Sequence, residues 1–226
     1  TGRVARMTVC PAPVDTGIIF KRTDIGSDAI VEALAENVSS TARSTTISKG
    51  EASVSTIEHI LSALTGMGVD NALIDIDNVE VPILDGSAKP YIEAIWKDGF
   101  EQQEAPHRYI EIKETIEIRN DEKGSVVRIE PAEEFSYEIK IDFNSRVLGV
   151  QTASWDGSIS YPEEIGTCRT FVFFHELEFL LNNGLVKGGD VDNAIVIVEH
   201  PVTEAQVTRI SGLFNVPALK VREDGY

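Results

Sequence analysis

The chain has 226 residues, 42% of them hydrophobic and 25% charged, which suits a globular protein with one large domain or two small ones. Asp and Glu number 37 against 20 Lys and Arg, a formal charge of −17, and so acidic a chain is excluded as a general binder of nucleic acid. No apolar run approaches the roughly 18–20 residues of a membrane span, and Thr1–Arg6 shows no basic head followed by an apolar block, so neither a transmembrane segment nor a secretory signal is expected.

Val4–Ala12 and Thr16–Asp24 read as two strands around the turn Pro11-Ala12-Pro13-Val14-Asp15, a hairpin-type signal. The period changes over Ser53–Gly66, where Ile57, Ile60, Leu61 and Leu64 form one helical stripe. Ser55 and Glu58 give a capping-box start, and Gly66 and Gly68 a stop. Ala72–Asp77 returns to strand alternation. Asp85-Gly86-Ser87 is a turn, with Ser87 the N-cap of a helix over Ala88–Trp96 and Pro90 in its first turn. The polar stretch Lys97–His107 is the best linker.

Strands follow at Tyr109–Arg119, Ser125–Pro131 and Ser136–Phe143. A helix is expected over Thr170–Asn182, a buried strand at Ala194–Val198 and a last helix at Glu204–Phe214. Met7–Lys21 is faintly echoed by Arg128–Lys140, and strands followed by helices in each half fit a duplicated α+β unit, although chance explains so weak a repeat equally well.

Glu58-His59 is the sharpest chemical feature: a carboxylate beside an imidazole at a helix start can set a base next to a metal ligand. With the stripe facing the core, the pair shares the other side of the helix with Ser62, Ala63 and Gly66, a small and polar surface that is either solvent-facing or a cleft wall. The plain alternative leaves Glu58 as a cap and His59 exposed. HExxH is absent, since Ala63 stands four residues after His59 and Phe179 four after His175; His107 enters a strand and His200 precedes Pro201, so neither extends a chelate. Cys10 and Cys168 form no CxxC, which fits reduced thiols and a cytoplasmic setting.

Thr170-Phe171 sits at a strand-to-helix junction, where a hydroxyl can polarise a carbonyl and a ring can stack on a sugar, or where the pair is simply a cap and a core residue. The run Phe171, Phe173, Phe174, Leu177, Phe179, Leu180, Leu181 is either core or the lining of a channel for an aliphatic chain. The glycine-rich Gly184–Asp190 lacks the phosphate-loop pattern. Arg43-Ser44-Thr45-Thr46 is a short polar loop between strands.

Together, STIEHILSAL at Ser55–Leu64, Gly68-Val69-Asp70-Asn71 and VPILDGSA at Val81–Ala88 resemble UDP-3-O-acyl-N-acetylglucosamine deacetylases, the zinc amidases of lipid A synthesis. Cys168-Arg169-Thr170-Phe171 and Gly184–Asn193 resemble the second-domain motifs of that family. CRTFVFFHELEFLL and LFNVPALKVREDGY are most similar to the variant fused to a 3-hydroxyacyl-carrier-protein dehydratase.

The resemblance implies two duplicated two-layer α+β sandwich domains, over 1–100 and 107–226, packed helix layer to helix layer around the active site. It implies Glu58 as general base, His59 as a zinc ligand, Thr170 as oxyanion donor and Phe171 as a platform for the glucosamine ring. Lys187, Gly188 and Gly189 would contact substrate, and Phe179–Val198 would form the acyl passage. The cofactor would be Zn2+, with its other ligands in an HKxxD motif beyond Tyr226. Thr1-Gly2 would be the tail of an HTG segment, so the chain is expected to be an internal fragment that does not turn over alone. The rival readings are a non-catalytic α+β binding or scaffold module, and a carbohydrate- or nucleotide-binding protein without a metal.

Overall fold

The computed structural model describes residues 2–183, 192–214, 216 and 217. The first half runs β1 (Met7–Pro11), β2 (Ile18–Arg22), β3 (Ile30–Glu32), β4 (Val38–Ser40), β5 (Thr46–Lys49), β6 (Ala52–Ser55), α1 (Glu58–Gly66), β7 (Ala72–Ile76) and α2 (Lys89–Asp98). Strand alternation decides the inward face: in β7, Ala72, Ile74 and Ile76 are buried while Leu73 and Asp75 between them are only half-buried.

The first sheet has the order β1-β7-β2-β3, with β7 antiparallel to β1 and parallel to β2. This corrects the expected hairpin: β1 and β2 flank β7 and do not pair with each other. The reason is that β7 is a buried strand whose backbone groups need partners along both edges. Residues 12–17 need to step across only one intervening strand, about 10 Å, well within their reach. A second antiparallel sheet, β4-β5-β6, lies against the first. Ile47 and Val54 from it join Phe20, Val31, Ile74 and Ile76 in one core, closed by Ile57, Ile60 and Leu64 of the α1 region and by Tyr91 and Ile92 of α2.

Arg22 ties the two sheets together. Its buried guanidinium donates to both oxygens of Asp24 at 2.8 Å and to the Ser53 carbonyl at 2.7 Å. That forked contact holds the Asp24 carboxyl below its ordinary pKa.

The apolar stripe of α1 faces the core as expected, but two details differ. There is no capping box: Ser55 closes β6 and its hydroxyl donates to the Val79 carbonyl at 3.2 Å, while the Glu58 carboxylate is taken by another backbone group. Ala63 is 0% exposed, because Ile60, Ala63 and Leu64 share one face at i, i+3, i+4 and the buried arc is wider than the stripe alone. Helix α2 begins at Lys89, one residue later than expected, with Ala88 and not Ser87 in the N-cap position; the Ser87 hydroxyl accepts the Lys89 N–H at 3.1 Å, and Pro90 falls in the first turn.

The predicted linker is docked on the first half. Beyond Asp98, Gln103 donates to the Ala12 carbonyl and accepts from Asn71, both at 2.8 Å, and His107 and Arg108 reach Asp70 and Asp15.

The second half comprises β8 (Ile116–Asn120), β9 (Ser125–Ile129), β10 (Tyr137–Asp142), β11 (Val150–Trp155), α3 (Tyr161–Glu164), β12 (Phe171–Phe173), α4 (Phe174–Asn182), β13 (Ile195–Ile197) and α5 (Glu204–Phe214). Among the described residues these strands form two antiparallel ribbons, β8-β9 and β10-β11, and one parallel pair, β12-β13. The helix expected from Thr170 begins only at Phe174, since Phe171–Phe173 are drawn into pairing with β13. The strand expected at Ala194–Val198 is present as β13, but Ile195 is 44% exposed, so it is not a buried one. Helices and strands grouped into several small sheets place the chain in the α+β class, as the order of elements implied. Among the described residues no helix is long and apolar enough to cross a membrane.

Candidate active site

Glu58 and His59 form the first turn of α1, and the backbone of Thr45 holds that turn. The Thr45 N–H donates to Glu58 Oε2 at 3.1 Å, and the Thr45 carbonyl accepts the Ile57 N–H at 3.4 Å. His59 is half-buried, and burial lowers its pKa from the ordinary 6.5 against the opposing pull of Glu58 and Asp85. A neutral imidazole is the form that ligates a metal. Tyr91 belongs to the same neighbourhood: burial, and then the nearby Asp85 and Glu58, raise its phenol's pKa.

Asp85 leads from this pair to the second half. Its carboxylate Oδ1 accepts the Ser87 N–H at 3.0 Å and hydroxyl at 2.7 Å, fixing the turn. Its carbonyl accepts Arg169 Nε at 2.8 Å, and the next carbonyl, that of Gly86, accepts the Thr170 N–H at 2.8 Å. Thr170 in turn accepts the Ile195 N–H at 2.9 Å. Gly86 has φ +80°, and a Cβ built on it would lie 2.0 Å from the Asn193 carbonyl oxygen, so only glycine admits this approach.

The same junction continues along the helices. The Ser62 hydroxyl bonds the Tyr161 phenol, a Cβ on Gly66 would lie 2.1 Å from the Tyr161 ring, and one on Gly166 would lie 2.5 Å from Ile92 Cδ1. The small, polar face of α1 at Ser62 and Gly66 is therefore an interior wall between the halves.

Phe171 is half-buried, edge-on to Phe143 and Phe173 at ring separations of 5.3 and 5.6 Å. The greasy run divides: Leu177 and Leu180 are buried, whereas Phe179 is 62% exposed. Lys187, Gly188 and Gly189 lie outside the described residues.

His59 suits one position of a zinc site, but a site normally takes three protein ligands. Among the described residues no three His, Cys, Asp or Glu side chains converge to hold a metal. A cavity of about 1380 Å3 lies beneath the docked linker, lined by Met7, Val9, Val69, Ile95 and Phe100 among others; Tyr91 also lines it, but Glu58 and His59 do not. In the sequence Asp85 signals only a turn. The Thr45 amide carries no sequence signal, because every residue but proline has one.

The family model described as "LpxC: UDP-3-O-acyl N-acetylglycosamine deacetylase" matches residues 1–212. A bifunctional enzyme LpxC/FabZ of Porphyromonas gingivalis is 43% identical over 226 residues, which are 100% of this chain and 49% of that protein. A UDP-3-O-acyl-N-acetylglucosamine deacetylase of Thioalkalivibrio sulfidiphilus is 42% identical over 200 residues, 87% of this chain and 65% of that one. The one from Helicobacter hepaticus is 44% identical over 209 residues, 92% of this chain and 69% of its own length. The chain thus spans about half the length of the bifunctional relative and about two thirds of the others. With the family's model matched over residues 1–212, the chain belongs to the UDP-3-O-acyl-N-acetylglucosamine deacetylase family.

Proposed function

We propose that this chain carries the glutamate and histidine of a zinc-dependent deacetylase that hydrolyses the acetamide of UDP-3-O-acyl-N-acetylglucosamine, the committing step of lipid A synthesis. The observation that supports the reading is the meeting of two segments far apart in sequence: the turn at Asp85-Gly86, whose carboxylate acts on His59, bonds Arg169 and Thr170 directly.

Zinc in such enzymes supplies Lewis-acid activation of water at neutral pH. Among the described residues, His59 is the side chain that would hold the ion. The Glu58 carboxylate keeps Oε1 for the proton of the attacking water while Oε2 stays on the Thr45 amide. The Thr170 hydroxyl donates to the developing oxyanion, its backbone being fixed through both N–H and carbonyl. Phe171 offers a ring to the sugar, and the described part of residues 179–198 would line the acyl passage. A cytoplasmic setting and a fused dehydratase in the intact protein belong to the same proposal, the latter because relatives from Porphyromonas gingivalis and Chlorobaculum tepidum are named bifunctional LpxC/FabZ enzymes.

The test is acetate release from UDP-3-O-acyl-N-acetylglucosamine by the intact protein, with Glu58→Gln and His59→Ala beside it. Loss of turnover by about 10²–10⁴-fold in Glu58→Gln, with an unchanged melting curve, supports catalysis. A fall in stability alone would favour a non-catalytic module.

A further inference from the structure

The loop before β5 reaches both halves of the molecule. Arg43 sits at its tip with φ +64°, a left-handed conformation rare for a residue other than glycine. Two residues on, the Thr45 N–H meets Glu58 Oε2 at 3.1 Å. The Arg43 guanidinium reaches the second half, its Nη2 lying 3.4 Å from Oε1 of Glu176. Glu176 belongs to the first turn of α4, directly after the strand that begins beside Thr170.

We propose that Arg43 is a positioning residue: by latching the 41–45 loop to Glu176 of α4, it aims the Thr45 N–H at the Glu58 carboxylate, so that docking of α4 orients the base. The alternative route for orienting Glu58, a capping box in which the Ser55 N–H would donate to the carboxylate, is closed because that N–H donates to the Val79 carbonyl at 2.8 Å. Arg43 touches no reacting atom in this scheme and acts only through the Thr45 amide. The latch is partly exposed at both ends, so its worth is that of a surface pair, a factor of roughly two to five in the closed population.

The kinetic arm of the test rests on the deacetylase reading, and the exchange arm does not. Arg43→Ala and Glu176→Ala are made singly in the intact protein, together with the reversed pair Arg43→Glu/Glu176→Arg. Amide exchange of the peptide containing Thr45 is followed by mass spectrometry, and kcat and KM are measured on UDP-3-O-acyl-N-acetylglucosamine. Each single variant is expected to speed exchange at Thr45 and to lower kcat by roughly two- to fivefold with little change in KM. The reversed pair restores both, which a merely disruptive substitution would not. Exchange at the unmodified rate in both single variants, or a reversed pair no better than either single one, overturns the latch. An intact protein without turnover, but with the exchange pattern as expected, overturns the deacetylase reading and leaves the latch standing.

Discussion

The Gly86 carbonyl accepts the Thr170 N–H at 2.8 Å, joining a turn of the first half to the head of β12 in the second. The contact exists because Gly86 carries no side chain. A methyl group there would lie 2.0 Å from the Asn193 carbonyl oxygen and 3.2 Å from Thr170 Cγ2, and φ +80° is itself unfavourable for alanine. Gly68 supplies the control: its φ is +73°, yet a Cβ on it would meet nothing within 4 Å. Gly68→Ala should therefore cost only the backbone term, about 1–2 kcal/mol. Gly86→Ala should cost more and should also remove activity by parting Asp85 from Thr170. Denaturant titration of both variants checks this, and equal losses would show that the junction contributes nothing.

Thr170 allows its backbone role to be separated from its hydroxyl. Valine keeps the N–H to Gly86 and the carbonyl to Ile195 and has nearly the same shape. If the hydroxyl stabilises an oxyanion, Thr170→Val should lower kcat by about 10²–10³. Its stability should stay within about 0.5 kcal/mol of the unmodified protein. A kcat within twofold of the unmodified value would assign Thr170 to the junction alone.

What the sequence disclosed follows what each signal encodes. The α1 stripe and the α5 boundaries were legible because helical period and end signals are local, and the start of α2 was readable to within one residue for the same reason. The partners of β1 and β2 were not, because β7 enters between them from some fifty residues away and alternation specifies a face without specifying a neighbour. The short strands β3 to β6 lack runs long enough to show a period of two. Of the candidate site, Glu58, His59, Thr170 and Phe171 are residues that motifs single out as candidates. The Thr45 amide and the Gly86 carbonyl could not be so singled out, since backbone groups exist at every position and only tertiary structure selects among them.

The packing of α1 against Tyr161 makes a prediction independent of catalysis. Gly66 leaves room for the ring, and Ser62 satisfies its hydroxyl, whose ionisation burial already opposes. Tyr161→Phe should cost about 1 kcal/mol for the lost hydrogen bond. Gly66→Ala should cost about 1–3 kcal/mol through overlap with the ring, and combining it with Tyr161→Ala should relieve that overlap. A double-mutant cycle measures the relief directly; simple additivity would mean that α1 and the ring do not touch in solution.

Acid stability tests the tie between the sheets. Asp24 has its pKa lowered from 3.8 chiefly by the hydrogen bond from Arg22, with burial opposing. Because the folded carboxyl holds its proton less tightly than the unfolded one, the unfolded state binds more protons between the two values, and stability falls as pH falls through that window. The contribution is fully present above about pH 4 and is lost progressively below it. Asp24→Asn should accordingly be less stable than the unmodified protein near neutral pH, with the gap narrowing as the solution is acidified below about pH 4. Stability measured by denaturant at both ends of that range decides the matter. A gap that stays constant across the range would show that Arg22 is satisfied by the Ser53 carbonyl and water, and that the carboxylate contributes no charge-dependent stability.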